Sequence, residues 1–415
     1  MHWIKNRFQE FGPKTACIES GRSWSYFDLL EEIDAAQTAL GAKRVLPIET
    51  SSTAEALAQL LAIAETDHIA LPLPPTLPAT ERAGRQAVAA ESPLYDQLAG
   101  SGLVLFSSGT SGRPKGMLHR LPALLARFQS VAPRDDRILQ LLPIDHIGGL
   151  DAALRCLCAG STLILPEART PAAAGKAIQT HRISILPASP TFLNLMLLEN
   201  VPSRFDCRSL EVIGYGAEPM PEPLLQRLQA RFPGTRLQQK FGTSETGAIR
   251  IRSEGDDSLF FRIIDPDTNW KIIDGELWLK TPSRIIGYLN AGDHALEADG
   301  WYRTGDLVEE TGDALRIIGR RSELINVGGQ KVHPAEVEAL LLDLEGIESC
   351  RVFGEPDPIT GQHVACEIFS RNGRDTRAWK RAIRQHGRGK IAPWKLPSRI
   401  TLAPELKLSG RLKRG

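Results

Sequence analysis

What most constrains this chain is a repeated order of apolar run, helical stretch and apolar run. "RVLPIE", "STAEALAQLLAIAE" and "HIALPL" form one such unit, and "RILQLLP", "GGLDAALRCLCAG" and "STLILPE" form the next. "RISILPA" with "PTFLNLMLLE", then "LEVIGYG" with "PEPLLQRLQARF" and "RLQQKFG", continue the series. Short apolar runs that alternate with amphipathic stretches predict strands alternating with helices, hence an α/β fold with mostly parallel sheets and right-handed crossovers. Ligands in such sheets gather beyond the carboxyl ends of the strands. The stretches after "GLVLF", "LEVIGYG" and "RLQQKFG" are therefore the candidate site segments.

From about residue 258 the texture changes. "LFFRIID", "NWKIID" and "GELWLKT", separated by Asp, Asn and Gly turns, predict a small β-subdomain at about 250–318. "HPAEVEALLLDLEG" opens with Pro334 at a first helical turn, and the strands "SCRVFGE" and "HVACEIFS" and a helix "TRAWKRAIRQHG" follow it. The expected organisation is a large domain over 1–320 and a small mobile α+β domain over 321–415. The Pro- and Ala-rich segment 71–93 is expected to be a long surface connection.

Fifty Lys and Arg face 49 Asp and Glu, a net charge of +1, which argues against electrostatic capture of nucleic acid by the whole chain. No apolar run approaches the roughly 18 residues of a membrane span and the first residues hold no signal-peptide core, so a cytoplasmic protein apart from membranes is expected. The six cysteines lack paired metal-ligand spacing, and Cys156 and Cys158 read as buried thiols.

"FSSGTSGRPKG" (106–116) places hydroxyls, glycines and Lys115 directly after a strand. It departs from the Walker pattern, since Pro114 stands where that pattern has its second Gly and Gly116 follows the lysine. By composition it reads either as a polar surface loop or as a phosphate cradle in which backbone N–H groups and hydroxyls face oxygen and Lys115 adds a point charge. "FGTSETG" (241–247), "YRTGDL" (302–307) and "GRRSELINVGGQKVHPAEVE" (319–338) follow in order. Together these four stretches resemble the signature motifs of the adenylate-forming superfamily: acyl- and aryl-CoA ligases, peptide-synthetase adenylation domains and luciferases. Their wording is most similar to o-succinylbenzoate and benzoate CoA ligases.

The resemblance implies two half-reactions, in which a carboxylic acid and ATP give an acyl-adenylate and a thiol of CoA or an acyl carrier protein then takes the acyl group. By the same resemblance Ser107, Ser108, Gly109, Thr110, Ser111, Gly112 and Lys115 would hold the phosphates, and Glu245 would bind Mg²⁺. Ser244, where the family commonly has threonine, would meet the α-phosphate beside Gly242 and Thr243. Gly216, Ala217, Glu218 and Phe241 would enclose adenine, and Asp306 with Arg320 would hold the ribose. His146 would act beside the reacting carboxylate and, with Gly148, Gly149, Ser189 and Gly214, would line an apolar acyl pocket suited to an aryl or medium-length acid. Ile147 stands where amino-acid-activating relatives carry an aspartate, which disfavours an α-amino acid.

Ser322 falls at the expected hinge, a position often filled by aspartate or lysine. At the position of the family's catalytic lysine stands Arg411, a planar fork in place of a compact ammonium. Arg411 takes over the role, or Lys407 or Lys413 does so by a register shift, or adenylation is weakened. The last case, with a segment before residue 106 shorter than in most relatives, would fit a transferase that moves acyl groups from CoA to a carrier protein. A non-catalytic adenylate binder is the third reading. Cations such as Arg377, Arg381, Arg384 and Arg388 form either a solvated helix face or a dock for an anionic thiol carrier. A homodimer is left open.

Overall fold

The computed structural model describes residues 2–107 and 114–405. Two sheets carry the large domain. The first runs in the order Arg236–Gln239, Val212–Tyr215, Ile185–Ala188, Arg137–Leu139, Thr162–Ile164, Thr15–Glu19 and Arg22–Ser25. All its neighbours are parallel except the last two, which form a hairpin. The second runs Gly287–Tyr288, Gly116–Arg120, Gly102–Phe106, Ile69–Leu73 and Val45–Glu49, with its first three strands antiparallel.

Burial follows the periodicity. The helix Ile147–Cys158 puts Leu150, Ala153, Leu154 and Leu157 into a core shared with helices Tyr26–Thr38 and Thr53–Ala62 and with Leu103, Leu105 and Met117 of the second sheet. Helices Pro171–His181, Pro190–Leu198 and Glu222–Arg231 cover the opposite face of the first sheet. Cys156 and Cys158 are buried in the shared core, and burial pushes the Cys158 thiol up to about 12.

Segment 71–93 departs from the expected open connection, because Ala79–Ala90 is a helix. Its Ala, Glu, Arg and Gln content favours helix, Pro78 sits at its entry, and Arg85 pairs with Glu81 one turn back at 2.7 Å. The surrounding prolines conceal it in the sequence.

A six-stranded antiparallel sheet follows, ordered Ile251–Ser253, Phe261–Ile263, Ala314–Arg320, Tyr302–Thr311, Glu276–Lys280 and Asn269–Ile273. Beyond it a separate sheet pairs Gly361–Phe369 with Ser349–Asp357, Ile325–Val327 and Arg399–Leu402. Helices Pro334–Leu342 and Thr376–Gly387 cover that sheet through Val337, Leu341, Trp379 and Ile383. It touches the large domain where Asn194 Nδ2 donates to the Glu348 carbonyl at 2.8 Å and Arg227 bonds Asn194. Among the described residues no helix is long and apolar enough to cross a membrane.

Candidate active site

The strands Gly102–Phe106 and Gly116–Arg120 are two antiparallel arms of a hairpin. Its base is closed by the Ser107 N–H donating to the Lys115 carbonyl at 3.0 Å. Asn290 clamps the exit: its Nδ2 donates to the Pro114 carbonyl and its Oδ1 accepts from the Gly116 N–H, each at 2.9 Å. Ser108, Gly109, Thr110, Ser111 and Gly112 lie outside the described residues, as do Lys407, Arg411 and Lys413.

The Lys115 ammonium stands 5.5 Å from the centre of the Tyr288 ring, within cation–π range. The Tyr288 hydroxyl donates to Glu245 Oε1 at 2.8 Å. Glu245 lies at the tip of the hairpin formed by Phe241–Thr243 and Gly247–Ile249, and its own carbonyl accepts from the Ile285 N–H at 2.8 Å. Buried Tyr302 stands beside the same carboxylate and Thr243. Burial, with Glu245 alongside, raises both phenols far above their usual range, so they stay protonated and act as donors.

Tyr302 opens the strand that carries Asp306, and the neighbouring strand brings Arg320 opposite it. Arg320 Nε meets Asp306 Oδ1 at 2.9 Å. Burial raises the Asp306 carboxyl to about 6; Arg320 opposes the rise and Glu245 adds to it. The three motifs carrying Lys115, Glu245 and Asp306 therefore meet in one charged cluster. Beneath it, fully buried His119 lies by the Ser244 backbone, and burial holds its imidazole down at about 4, hence neutral.

The carboxyl end of Val212–Tyr215 supplies the next wall. The Lys240 N–H donates to the Tyr215 carbonyl at 2.7 Å, which brings the two loops together. A Cβ on Gly216 would sit 2.6 Å from the Lys240 carbonyl, so this approach demands glycine. Ala217 adopts φ 69°, a left-handed backbone unusual for a residue with a Cβ. Phe241 stacks on Phe261 with centroids 5.4 Å apart.

Several expected pocket residues have other engagements. Glu218 Oε2 accepts from the Thr191 hydroxyl at 2.7 Å and from the Thr191 N–H, at the start of helix Pro190–Leu198. The Ser189 hydroxyl caps that helix by accepting from the Phe192 N–H. Gly149 is buried where a Cβ would lie 2.0 Å from the Pro143 carbonyl, so it serves the tight entry to helix Ile147–Cys158. Gly148 in the first turn is exposed, and His146 stands at the N-cap with Nε2 3.7 Å from Asp145. Gly214 is covered by the Lys240 side chain. Ser322 lies in the short turn Arg321–Glu323, and Arg321 before it is anchored to buried Glu276 at 2.8 Å.

Sequence reading missed Tyr288, Asn290, Tyr302, His119 and Lys240. "GYLN" and "YRTGDL" contain three of them, but their value lies in contacts across the chain that spacing does not encode.

A lysine, a tyrosine-held carboxylate and a buried Asp–Arg pair, brought together in an α/β domain with a small following domain, define a class. The model for AMP-binding enzymes matches residues 96–289, and that for the AMP-binding enzyme C-terminal domain matches residues 336–413. The chain belongs to the AMP-binding enzyme family. Among curated relatives, indoleacetate–CoA ligase of Aromatoleum aromaticum is 30% identical over 328 residues, 73% of this chain and 64% of that protein. The 2-succinylbenzoate–CoA ligase of a Geobacillus species is 29% identical over 73% of this chain and 65% of its own length. The chain thus spans less than two-thirds of either relative. Of solved structures, an anthranilate CoA ligase, AuaEII, bound to anthranoyl-AMP superposes with TM-score 0.84 at 19% identity, covering 99% of this chain and 95% of that one. The amide bond synthetase McbA from Marinactinospora thermotolerans gives 0.83 at 21%, covering 99% and 97%. These two likenesses establish the α/β fold with its smaller C-terminal domain.

Proposed function

We propose that the protein is an AMP-forming acid–thiol ligase that activates a carboxylic acid with ATP and Mg²⁺ and passes the acyl group to the thiol of CoA or an acyl carrier protein. The observation that carries this reading is the convergence of Lys115, Glu245 and the Asp306–Arg320 pair through Tyr288 and Tyr302.

In adenylation an oxygen of the acid attacks the α-phosphorus of ATP, and the bridging bond breaks with its electron pair leaving on pyrophosphate. Lys115 offers positive charge to the departing phosphates. Asp306 has two acceptor oxygens for ribose hydroxyls, and Arg320 fixes its orientation. In the second step the thiol sulfur attacks the acyl carbon, AMP leaves with the carbon–oxygen electrons, and the thiol proton passes to solvent.

Among the described residues no three His, Cys, Asp or Glu side chains cluster for a metal. One oriented carboxylate suits Mg²⁺, which keeps waters and binds through one or two carboxylates plus phosphate oxygens. Glu245 would hold it, and the ion would supply charge neutralisation at the phosphates. Ser322, after the anchored Arg321, would be the pivot between domains 1–320 and 321–415. Buried reduced thiols accord with a cytoplasmic setting, and self-association as a dimer is part of this proposal.

The test is acid-dependent exchange of pyrophosphate into ATP across aryl and alkyl acids. Acid-dependent exchange supports the reading. Its absence for every acid, or acyl transfer from CoA to a carrier protein without ATP, overturns it.

A further inference from the structure

Glu276 is a buried carboxylate to which the proposed reaction gives no part. It follows the turn of "IIDGEL" (272–277), in which Asp274 and Gly275 adopt φ 50° and 75°, the left-handed pair that an Asp-Gly hairpin turn requires. That turn joins strand Asn269–Ile273 to Glu276–Lys280. On the other side of Glu276 runs Tyr302–Thr311, and the ladder between the two is irregular: Glu276 opposes Leu307, and Trp278 opposes Arg303. Thr304, Gly305 and Asp306 therefore face the single residue Leu277. A bulge of this kind leaves backbone groups without ladder partners and re-aims side chains. Here the Gly305 N–H donates to Glu276 Oε1 at 3.0 Å, the Thr304 hydroxyl donates to the Leu277 carbonyl at 2.6 Å, and the Asp306 N–H donates to Thr304 Oγ1 at 3.0 Å. One oxygen of Glu276 thus holds the bulge that presents Asp306.

The other oxygen is taken by the joint between the domains. Glu276 Oε2 accepts from Arg321 Nε at 2.8 Å, and Arg321 Nη2 donates to the Asp274 carbonyl, also at 2.8 Å. Two nitrogens of one planar guanidinium are fixed by the two ends of a tight turn, which sets its orientation as well as its position. Arg321 is the first residue past strand Ala314–Arg320 and the one before Ser322. Its anchorage carries the fixed part of the large domain to residue 321. Without it, the last fastened residue would be Arg320, paired with Asp306.

Resting on the ligase reading and the Ser322 pivot above, we propose that Glu276 is a positioning residue that fastens the Asp306 bulge and the interdomain pivot to one carboxylate, so that MgATP held at Asp306 tightens the joint at Arg321. The coupling is reciprocal: a small domain that pulls Arg321 out of place loosens the Gly305 N–H and with it the ribose acceptor.

Amide hydrogen exchange of the full chain with and without MgATP reads this coupling. In the wild type MgATP should slow exchange at 303–307 and, through Glu276, by about tenfold at 321–325. R321M alone leaves a buried carboxylate without its cation and can fail to fold, so the deciding variants are E276Q, which leaves half-exposed Arg321 in water, and E276Q/R321M, which removes both charges. Both should keep the MgATP effect at 303–307, because the glutamine oxygen still accepts from Gly305, and lose it at 321–325. R321K, which keeps a cation without the fork, should retain part of it. Thermal melting of each variant reports whether the fold survives. Protection kept at 321–325 in the folded variants, or a wild type protected at 303–307 alone, overturns the role of Glu276 and leaves the ligase reading standing. Loss at both segments in the variants makes Glu276 a purely structural group and overturns the proposal as well. A wild type that MgATP protects at neither segment overturns the ligase reading and this inference with it.

Discussion

Asp306→Asn is expected to stabilise the ligand-free protein while weakening the proposed nucleotide site. Asp306 is only 6% exposed, and burial raises its carboxyl from the ordinary 3.8 to about 6 despite Arg320 at 2.9 Å. At neutral pH the native state therefore holds a carboxylate that the unfolded chain holds more cheaply. A rise of that size corresponds to about 3 kcal/mol against folding. The contribution of this group is most favourable below the unfolded value near 4 and is lost as pH rises through 6. The amide introduced by the substitution cannot ionise and is nearly isosteric, and Arg320, half exposed, is not left as a buried charge. The variant should melt higher than wild type at pH 7.5 by about 3–6 °C and coincide with it near pH 4. Thermal unfolding of both proteins between pH 4 and 8 measures this, and ATP affinity should fall about 10- to 100-fold in the same variant through loss of the proposed ribose acceptor. An equal or lower melting temperature at pH 7.5 would refute the claim that Asp306 is kept charged at a cost to folding.

Gly216→Ala places a methyl 2.6 Å from the Lys240 carbonyl and should destabilise by about 1–3 kcal/mol in urea unfolding, whereas Gly41→Ala, with nothing within 4 Å, should stay within about 0.5 kcal/mol. Tyr288→Phe removes the 2.8 Å donor to Glu245; pyrophosphate exchange should drop about tenfold in kcat/KM and need more Mg²⁺ for half-maximal rate, and an unchanged Mg²⁺ dependence would count against the assignment of Glu245. His119, held at about 4 against an ordinary 6.5, gives stability that is present above pH 6.5 and is lost as pH falls through 4, by about 3 kcal/mol. His119→Gln should therefore flatten the acid limb of stability against pH, and parallel limbs would refute it.

The α/β series was legible because each buried strand and amphipathic helix writes its period into neighbouring residues. Helix Ala79–Ala90 was not, since the prolines at 74, 75 and 78 dominate the local reading while the helix inside has ordinary propensity. The placement of Lys115, Glu245, Asp306 and Arg320 in one cluster was anticipated from ordered motifs. Tyr288 and Tyr302 were invisible as ligands of Glu245, because their partner lies 43 residues away for the former and the meeting depends on two separate sheets. Ser189 and Glu218 show the converse: oxygen acceptors that suit a substrate also suit the free N–H groups of a helix start, and sequence does not tell which donor wins. Lys240 sat inside a quoted motif, but only the glycines of the adjacent strand reveal where its stem goes.

The Asn290 clamp bears on how the protein comes off the ribosome. Its partners lie 174 and 176 residues earlier, and the strand just before it, Gly287–Tyr288, completes the sheet beside Met117 and Leu118. Until Asn290 has been synthesised, the hairpin that frames Lys115 lacks both its edge strand Gly287–Tyr288 and the clamp at its exit. The frame around Lys115 is complete only when that late segment is in place.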